Sequence, residues 1–252
     1  MLKTGLVSVT FRQFSPEKVI EIAAANGLQG IEWGGDLHVP PNDFSNARKI
    51  GELTRKSGLE IAAYGSYFRL GQDEDFENIM QAAKVLQTKI IRVWAGTIGS
   101  KDASEKYRQK VVEESKKIAD RALSYGISVV YEFHSETLTD TAESCFDLLE
   151  KADRPNLKTY WQPIVAKNVK ENLRDIKILS PFIAGVHVFH WNKENRLKLS
   201  EGSGDWQKYL SELKEMNGFA LLEFVKDDNR ENLAADAETL KRIIGETLYK
   251  KS

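Results

Sequence analysis

Eight short runs of aliphatic, β-branched and aromatic residues recur along the chain. They begin near Thr4 (TGLVSVTF), Gln29 (QGIEWGG), Leu59 (LEIAAYGS), Lys89 (KIIRVWAG), Ile127 (ISVVYEFH), Leu157 (LKTYWQP), Ile183 (IAGVHVFHW) and Phe219 (FALLEFV). From Thr4 to Phe219 there are seven intervals in 215 residues, roughly 31 residues each, the length of one strand-plus-helix unit. Between the runs the apolar residues change to helical spacing, with Glu and Lys on the outer face. Ser15-Pro16-Glu17 reads as a cap followed by proline at the first helical position, and Gly27 stops that helix. Further helices are predicted over 43–57, 73–87, 103–125, 140–152, 167–179, 205–217 and 229–249.

Strict alternation of strand and helix argues a parallel sheet with helices outside it. Two architectures satisfy that pattern, a closed barrel and an open doubly wound sheet. An open sheet binding a dinucleotide wants G-x-G-x-x-G after its first strand, whereas here Thr10-Phe11-Arg12-Gln13 follows, without a glycine. No phosphate-binding G-x-x-x-x-G-K-[ST] loop is present either. Eight evenly spaced units favour an eight-stranded parallel β/α (TIM) barrel, and 252 residues is the usual length for one. With no linker or abrupt change in composition, a single domain over 1–252 is expected.

Composition narrows the function. Thirty-six Lys and Arg against 37 Asp and Glu leave a formal charge of −1, so an electrostatic grip on nucleic acid or an anionic membrane is not expected. A lone cysteine, Cys145, excludes an intrachain disulfide and a Cys-rich zinc module. No apolar leader or membrane-length run is seen, and a soluble cytoplasmic protein is the expectation.

In such barrels the chemistry sits at the C-terminal ends of the strands. There the chain offers Glu32 and His38 after the second strand, Arg92 on the fourth, and Glu132 and His134 on the fifth. Gln162 follows on the sixth, His187 and His190 on the seventh, and Glu223 on the eighth. A glutamate ending an apolar strand, as in Val-Val-Tyr-Glu132 or Leu-Leu-Glu223, is costly unless paired or bound to a cation. Closing the barrel brings Glu132, Gln162, His187 and Glu223 to one rim. Three oxygen donors and one imidazole suit a divalent metal such as Mn, Mg, Co or Zn.

The segments IEWGGDLHV (31–39), YGSYFRLG (64–71), IRVWAG (91–96), YEFHSETLTDT (131–141), YWQP (160–163), GVHVFHW (185–191), EGSGDW (201–206) and LLEF (221–224) carry a resemblance. Together they resemble the xylose-isomerase-like barrel superfamily of sugar and sugar-phosphate isomerases and epimerases, related to the apurinic endonuclease barrels. The resemblance implies that Glu132 and Glu223 are both metal ligands and the acid/base pair, with His187 a further ligand. It also implies an Asp on the sixth strand and a His three residues later, where this chain has Gln162 and Val165.

The expected activity is therefore a metal-dependent isomerase or epimerase acting on a sugar or sugar phosphate. It would move a proton next to a carbonyl through an enediolate. A lyase or dehydratase using the same site, or a barrel that binds a sugar-like ligand without turnover, are the alternatives. His38, Arg92, Trp94, His134 and His190 are the candidate substrate-binding residues. Arg92 faces either the mouth or a partner such as Glu32; Glu223 could instead pair with Arg92; His187 could be a core histidine; His190 is expected beyond its strand's end. Residues 67–70 are expected to form a loop over the site, beside a cluster of aromatics (Tyr64, Tyr67, Phe68, Trp94, Tyr131, Trp161, Phe189, Trp191). The sequence itself does not mark an oligomeric state; the resemblance implies that a homo-oligomer is possible, since barrels of this kind often form dimers or tetramers.

Overall fold

Strands and helices alternate in the predicted order in the computed structural model, which describes residues 2–249. Residue 1 and residues 250–252 of the expected domain lie outside the described residues. The strands are β1 (Lys3–Val7), β2 (Gly30–Gly34), β3 (Glu60–Arg69), β4 (Ile90–Trp94), β5 (Ser128–Glu132), β6 (Leu157–Trp161), β7 (Ile183–Val188), β8 (His190–Trp191), β9 (Arg196–Leu197) and β10 (Phe219–Leu222). The helices are α1 (Pro16–Ala25), α2 (Phe44–Lys56), α3 (Phe76–Leu86), α4 (Glu105–Leu123), α5 (Ala142–Ala152), α6 (Val169–Leu179), α7 (Ser203–Glu212) and α8 (Arg230–Tyr249).

Eight strands close in the order β1-β10-β7-β6-β5-β4-β3-β2, all parallel, and β1 pairs with both β2 and β10. The helices start where polar side chains take up their free N–H groups. Ser15, Asp43, Ser104 and Asn168 each accept from a backbone N–H of the first turn, and Glu171 completes a capping box on α6. No helix among the described residues is long and apolar enough to cross a membrane.

Two apolar layers result. The larger lies between the sheet and the helices; the smaller, built from Val7, Ala63, Val130, Tyr160, Phe219 and Leu221, fills the barrel's interior. Side chains two residues apart on a strand share a face. Glu132, Gln162 and Glu223 therefore follow Val130, Tyr160 and Leu221 on the inward face, one step nearer the C-terminal rim.

The structure departs from expectation in three elements. Residues 67–70 do not form a free loop: β3 continues to Arg69, which pairs with Trp94, and Leu70 N–H donates to the Trp94 carbonyl. Tyr67, at φ 60°, takes up the extra residues as a bulge between Gly65 and Arg69. After β7 the chain forms a short antiparallel hairpin, β8 with β9, which the periodicity did not mark. The seventh helix ends at Glu212, five residues before its predicted end.

A candidate metal centre at the barrel mouth

Glu32, Arg92, Glu132, His187 and Glu223 meet on the inward face of the rim. Glu32 and His187 are wholly buried, and Arg92 exposes 2% of its surface. Arg92 Nε donates to Glu32 Oε1 at 2.5 Å, and its Nη1 donates to Glu132 Oε2. Arg92 thus faces Glu32 and Glu132, and the expected alternative of a pair with Glu223 is not seen. Gly65 lies opposite Arg92 in the ladder, and a Cβ there would sit 2.6 Å from Arg92 Nη2 and 2.8 Å from Glu32 Oε1. Only glycine leaves room for the pair.

His187 is held from both sides. Its Nε2 lies 3.1 Å from Glu32 Oε2; its Nδ1 points the other way, 3.3 Å from Gln162 Oε1, 3.5 Å from Glu223 Oε2 and 4.0 Å from Glu132 Oε1. One ring nitrogen is anchored by a carboxylate while the other faces a group of oxygen donors, the arrangement that orients histidine ligands in metal sites. Glu132, His187 and Glu223 offer ligand atoms all within 4.8 Å of one another. The donor chemistry fits a divalent ion: two carboxylates and an imidazole, with the Gln162 carbonyl beside them.

The electrostatics are asymmetric. Burial works against ionisation of Glu32, but Arg92 and His187 outweigh it and hold its carboxyl down at about 2. Burial likewise lowers the His187 pKa, yet Glu223 and Glu32 push it up to about 9. Burial raises Glu223, opposed by the His187 charge and reinforced by Glu132. A buried, shielded guanidinium and imidazolium therefore face the carboxyl groups, and burial favours the protonated form of Glu223 while Glu32 is held ionised.

The remaining candidates spread around the rim. His134 stacks on Trp94, ring centroids 4.7 Å apart with 21° between planes, and its Nδ1 lies 2.7 Å from the Ser135 carbonyl. An N–H must donate to that carbonyl, so neutral His134 keeps its lone pair on Nε2. His190 sits beyond the end of β7, in β8, packed so closely on Gly202 that a Cβ there would meet its ring at 2.2 Å. His38 is buried, with Nδ1 3.0 Å from Ser8 Oγ and Nε2 3.2 Å from the Phe14 carbonyl. It therefore ties the loops after β1 and β2 together and has no spare ring nitrogen for a substrate.

The expected aromatic mouth divides by strand alternation. Trp161 packs outward on Trp206 and Tyr209, Tyr131 donates to Ser115, Tyr64 donates to the Val39 carbonyl, and Phe68 packs on Phe76. Tyr67, Trp94, Phe189 and Trp191 remain near the rim. Phe189 and Trp191 line a cavity of about 270 Å³ with His134, Gln162 and Val165. Tyr67 (φ 60°) and Phe224 (φ 50°), next to Glu223, hold left-handed backbone conformations that non-glycine residues adopt at a cost. Sequence reasoning named Glu32 as a possible partner of Arg92, which the structure shows, but not as the group that also anchors His187. The signal was available, since Ile-Glu32-Trp sets a carboxyl in an apolar strand as Glu132 and Glu223 do.

Comparison with known proteins matches residues 20–243 to the model of the xylose isomerase-like TIM barrel family. Over 270 aligned residues the chain is 25% identical to a 3-dehydroshikimate dehydratase of Bacillus anthracis, across 95% of this chain and 96% of that one. The crystal structure of a probable 3-DHS dehydratase involved in petrobactin synthesis in Bacillus anthracis is similar, with a TM-score of 0.82 at 24% identity, covering 95% of this chain and 99% of that one. D-allulose 3-epimerase from Methylomonas sp., in complex with D-allulose, gives a TM-score of 0.74 at 17% identity, covering 96% of each chain.

Proposed function

Because the chain belongs to the xylose isomerase-like TIM barrel family, we propose that it is a divalent-metal-dependent dehydratase acting on a small hydroxylated ketone of the 3-dehydroshikimate type. The observation that carries this reading is the buried donor group of Glu132, His187 and Glu223, with Gln162 at its edge. A bound divalent ion would polarise the substrate's carbonyl and hydroxyl oxygens. The protein's own groups do the rest. Glu32 orients His187, and Arg92 holds one oxygen of Glu132 so that the other faces the donor group. His134, presenting Nε2 at the mouth, takes the proton from carbon next to the carbonyl. Glu223, on the strand end facing His187, supplies a proton to the departing hydroxyl. The products are the unsaturated ketone and water; from 3-dehydroshikimate, tautomerisation gives 3,4-dihydroxybenzoate.

The isomerase or epimerase activity expected from the sequence shares the first proton abstraction and differs in returning the proton to carbon. Epimerisation asks two groups on opposite sides to exchange the same role, whereas here Glu132 is engaged by Arg92 and, among the described residues, Glu223 has no arginine partner. That asymmetry favours elimination, as does the similarity to a dehydratase along nearly the whole of both chains.

Two measurements test the proposal. Calorimetric Mn²⁺ titration of wild type beside Glu223→Gln should give one site in the first and none in the second. Incubation with 3-dehydroshikimate should generate the ultraviolet absorbance of an aromatic diol. Solvent deuterium entering a ketose without loss of water would replace dehydration by isomerisation. No metal binding at millimolar Mn²⁺ would end both readings and leave the ligand-binding barrel.

A further inference from the structure

Arginines near the mouth differ in how their charge is met. Arg92 lies between Glu32 and Glu132, Arg12 pairs with Asp36, and Arg196 pairs with Asp228. Arg69, the last residue of β3, has no carboxylate within ion-pair distance of its guanidinium among the described residues. The nearby Glu74 carboxylate instead accepts the backbone N–H of Arg69, at 3.2 Å.

The Arg69 guanidinium is nonetheless held in place. It lies over the indole of Trp94, 4.0 Å from the ring centroid, and the same indole stacks on His134. Guanidinium, indole and imidazole thus form a row along the ends of β3, β4 and β5, and His134 follows Glu132 by two residues on the inward face. Stacking fixes the guanidinium plane through its face and leaves the N–H donors, which lie in that plane, free at its edge. A half-buried, oriented fork of donors without a counter-charge matches the bidentate geometry of a carboxylate or phosphate.

We infer that Arg69, seated on Trp94, binds an anionic substituent of the substrate, and so selects carboxylated or phosphorylated substrates over neutral ones. The inference rests on the reading that the Glu132–His187–Glu223 group is the working site, and it assigns that site's charge specificity. It also accounts for a second group at the mouth: the Trp94 imidazole stack ties the anion's position to that of the base, His134, so that one contact sets the distance between them.

The test uses two pairs of probes that differ only in charge, 3,4-dihydroxybenzoate against catechol and D-fructose 6-phosphate against D-fructose. Each is titrated calorimetrically into the full chain, as purified and after Mn²⁺ loading, for wild type, Arg69→Gln and Arg69→Lys. Urea unfolding confirms that the variants fold. In wild type, one charged probe should bind roughly tenfold or more tighter than its neutral partner; which pair shows it tells carboxylate from phosphate. Arg69→Gln should bring that preference to within about twofold and leave the neutral probe unchanged, and Arg69→Lys should keep part of it. A preference that survives Arg69→Gln overturns the inference, and so does a wild type that distinguishes neither pair. Dehydration of 3-dehydroshikimate with the same KM in wild type and Arg69→Gln would overturn it while leaving the proposed activity intact. Loss of the binding preference in a protein that turns over nothing would do the reverse.

Discussion

Removing the charge of Glu32 would leave Arg92 and His187 short of a partner where water does not reach. Glu32→Gln should therefore destabilise the protein by about 3–5 kcal/mol in urea unfolding; a cost under 1 kcal/mol would mean that the pair is solvated and the network is not as described. The same network sets a pH dependence. With its pKa at about 9, metal-free His187 is protonated at neutral pH, and an imidazole binds a metal only in its neutral form. Mn²⁺ binding at pH 7 should release about one proton, and affinity should rise with pH until roughly pH 9 and then level off. Calorimetry in buffers of different ionisation enthalpy reads the proton count directly. At this scale the sequence was informative where chemistry clashed with context. Glu132 and Glu223 stood out because carboxyls ending apolar strands need a partner. Arg92 and His38 did not resolve, because Glu32 lies 60 residues from Arg92 and the partners of His38, Ser8 and Phe14, lie on the loop after another strand. Spacing along the chain does not encode such meetings.

Elements were legible in proportion to how local their causes are. Capping residues, the prolyl start of α1 and strand periodicity act within a few positions, and those boundaries fall close to where the pattern puts them. The long β3 and the β8–β9 hairpin depend on contacts from elsewhere: Ser66 Oγ donates to the Arg92 carbonyl, and the Trp206 indole N–H donates to the carbonyl of Phe189. The segment after β9 carries its own pH response. Asp236 on α8 accepts the Leu199 N–H at 2.9 Å, and burial lifts its carboxyl to about 6. A carboxyl raised by folding binds its proton more readily in the native state, so the protein should lose stability as pH rises from about 4 through 6. Screened at a partly solvated site, the loss should be about 1–2 kcal/mol. Asp236→Asn, which keeps the acceptor, should flatten that slope in urea midpoints taken at pH 4, 5, 6 and 7; an unchanged slope would place its origin elsewhere.

The whole molecule was legible from its beat, since eight evenly spaced strand–helix units admit few architectures and the absence of a dinucleotide fingerprint removed the main competitor. Closure itself, with β1 bonded to β10, is a global fact that no window of sequence contains. The buried charges add an expectation at this scale. Because Arg92 and His187 already offset the carboxylates, the fold should not depend on a bound ion. Chelated protein should keep its far-ultraviolet circular dichroism and unfold cooperatively, while Mn²⁺ at a hundred times Kd should add about 2.7 kcal/mol, or roughly 5–10 °C in Tm. Non-cooperative melting of the chelated protein would contradict that.

The donor group also has a geography. Glu132, Gln162, His187 and Glu223 all come from β5 onward, while Glu32, Arg92 and the Arg69–Trp94 stack come from β2, β3 and β4. One half of the barrel supplies what would hold the ion, and the other supplies what would steady it and meet the substrate's periphery. Such a partition is a favourable starting point for changing what the barrel recognises: diversification confined to the loops of the first half, from β1 to β4, would vary selectivity while leaving the candidate ligand set of the second half untouched.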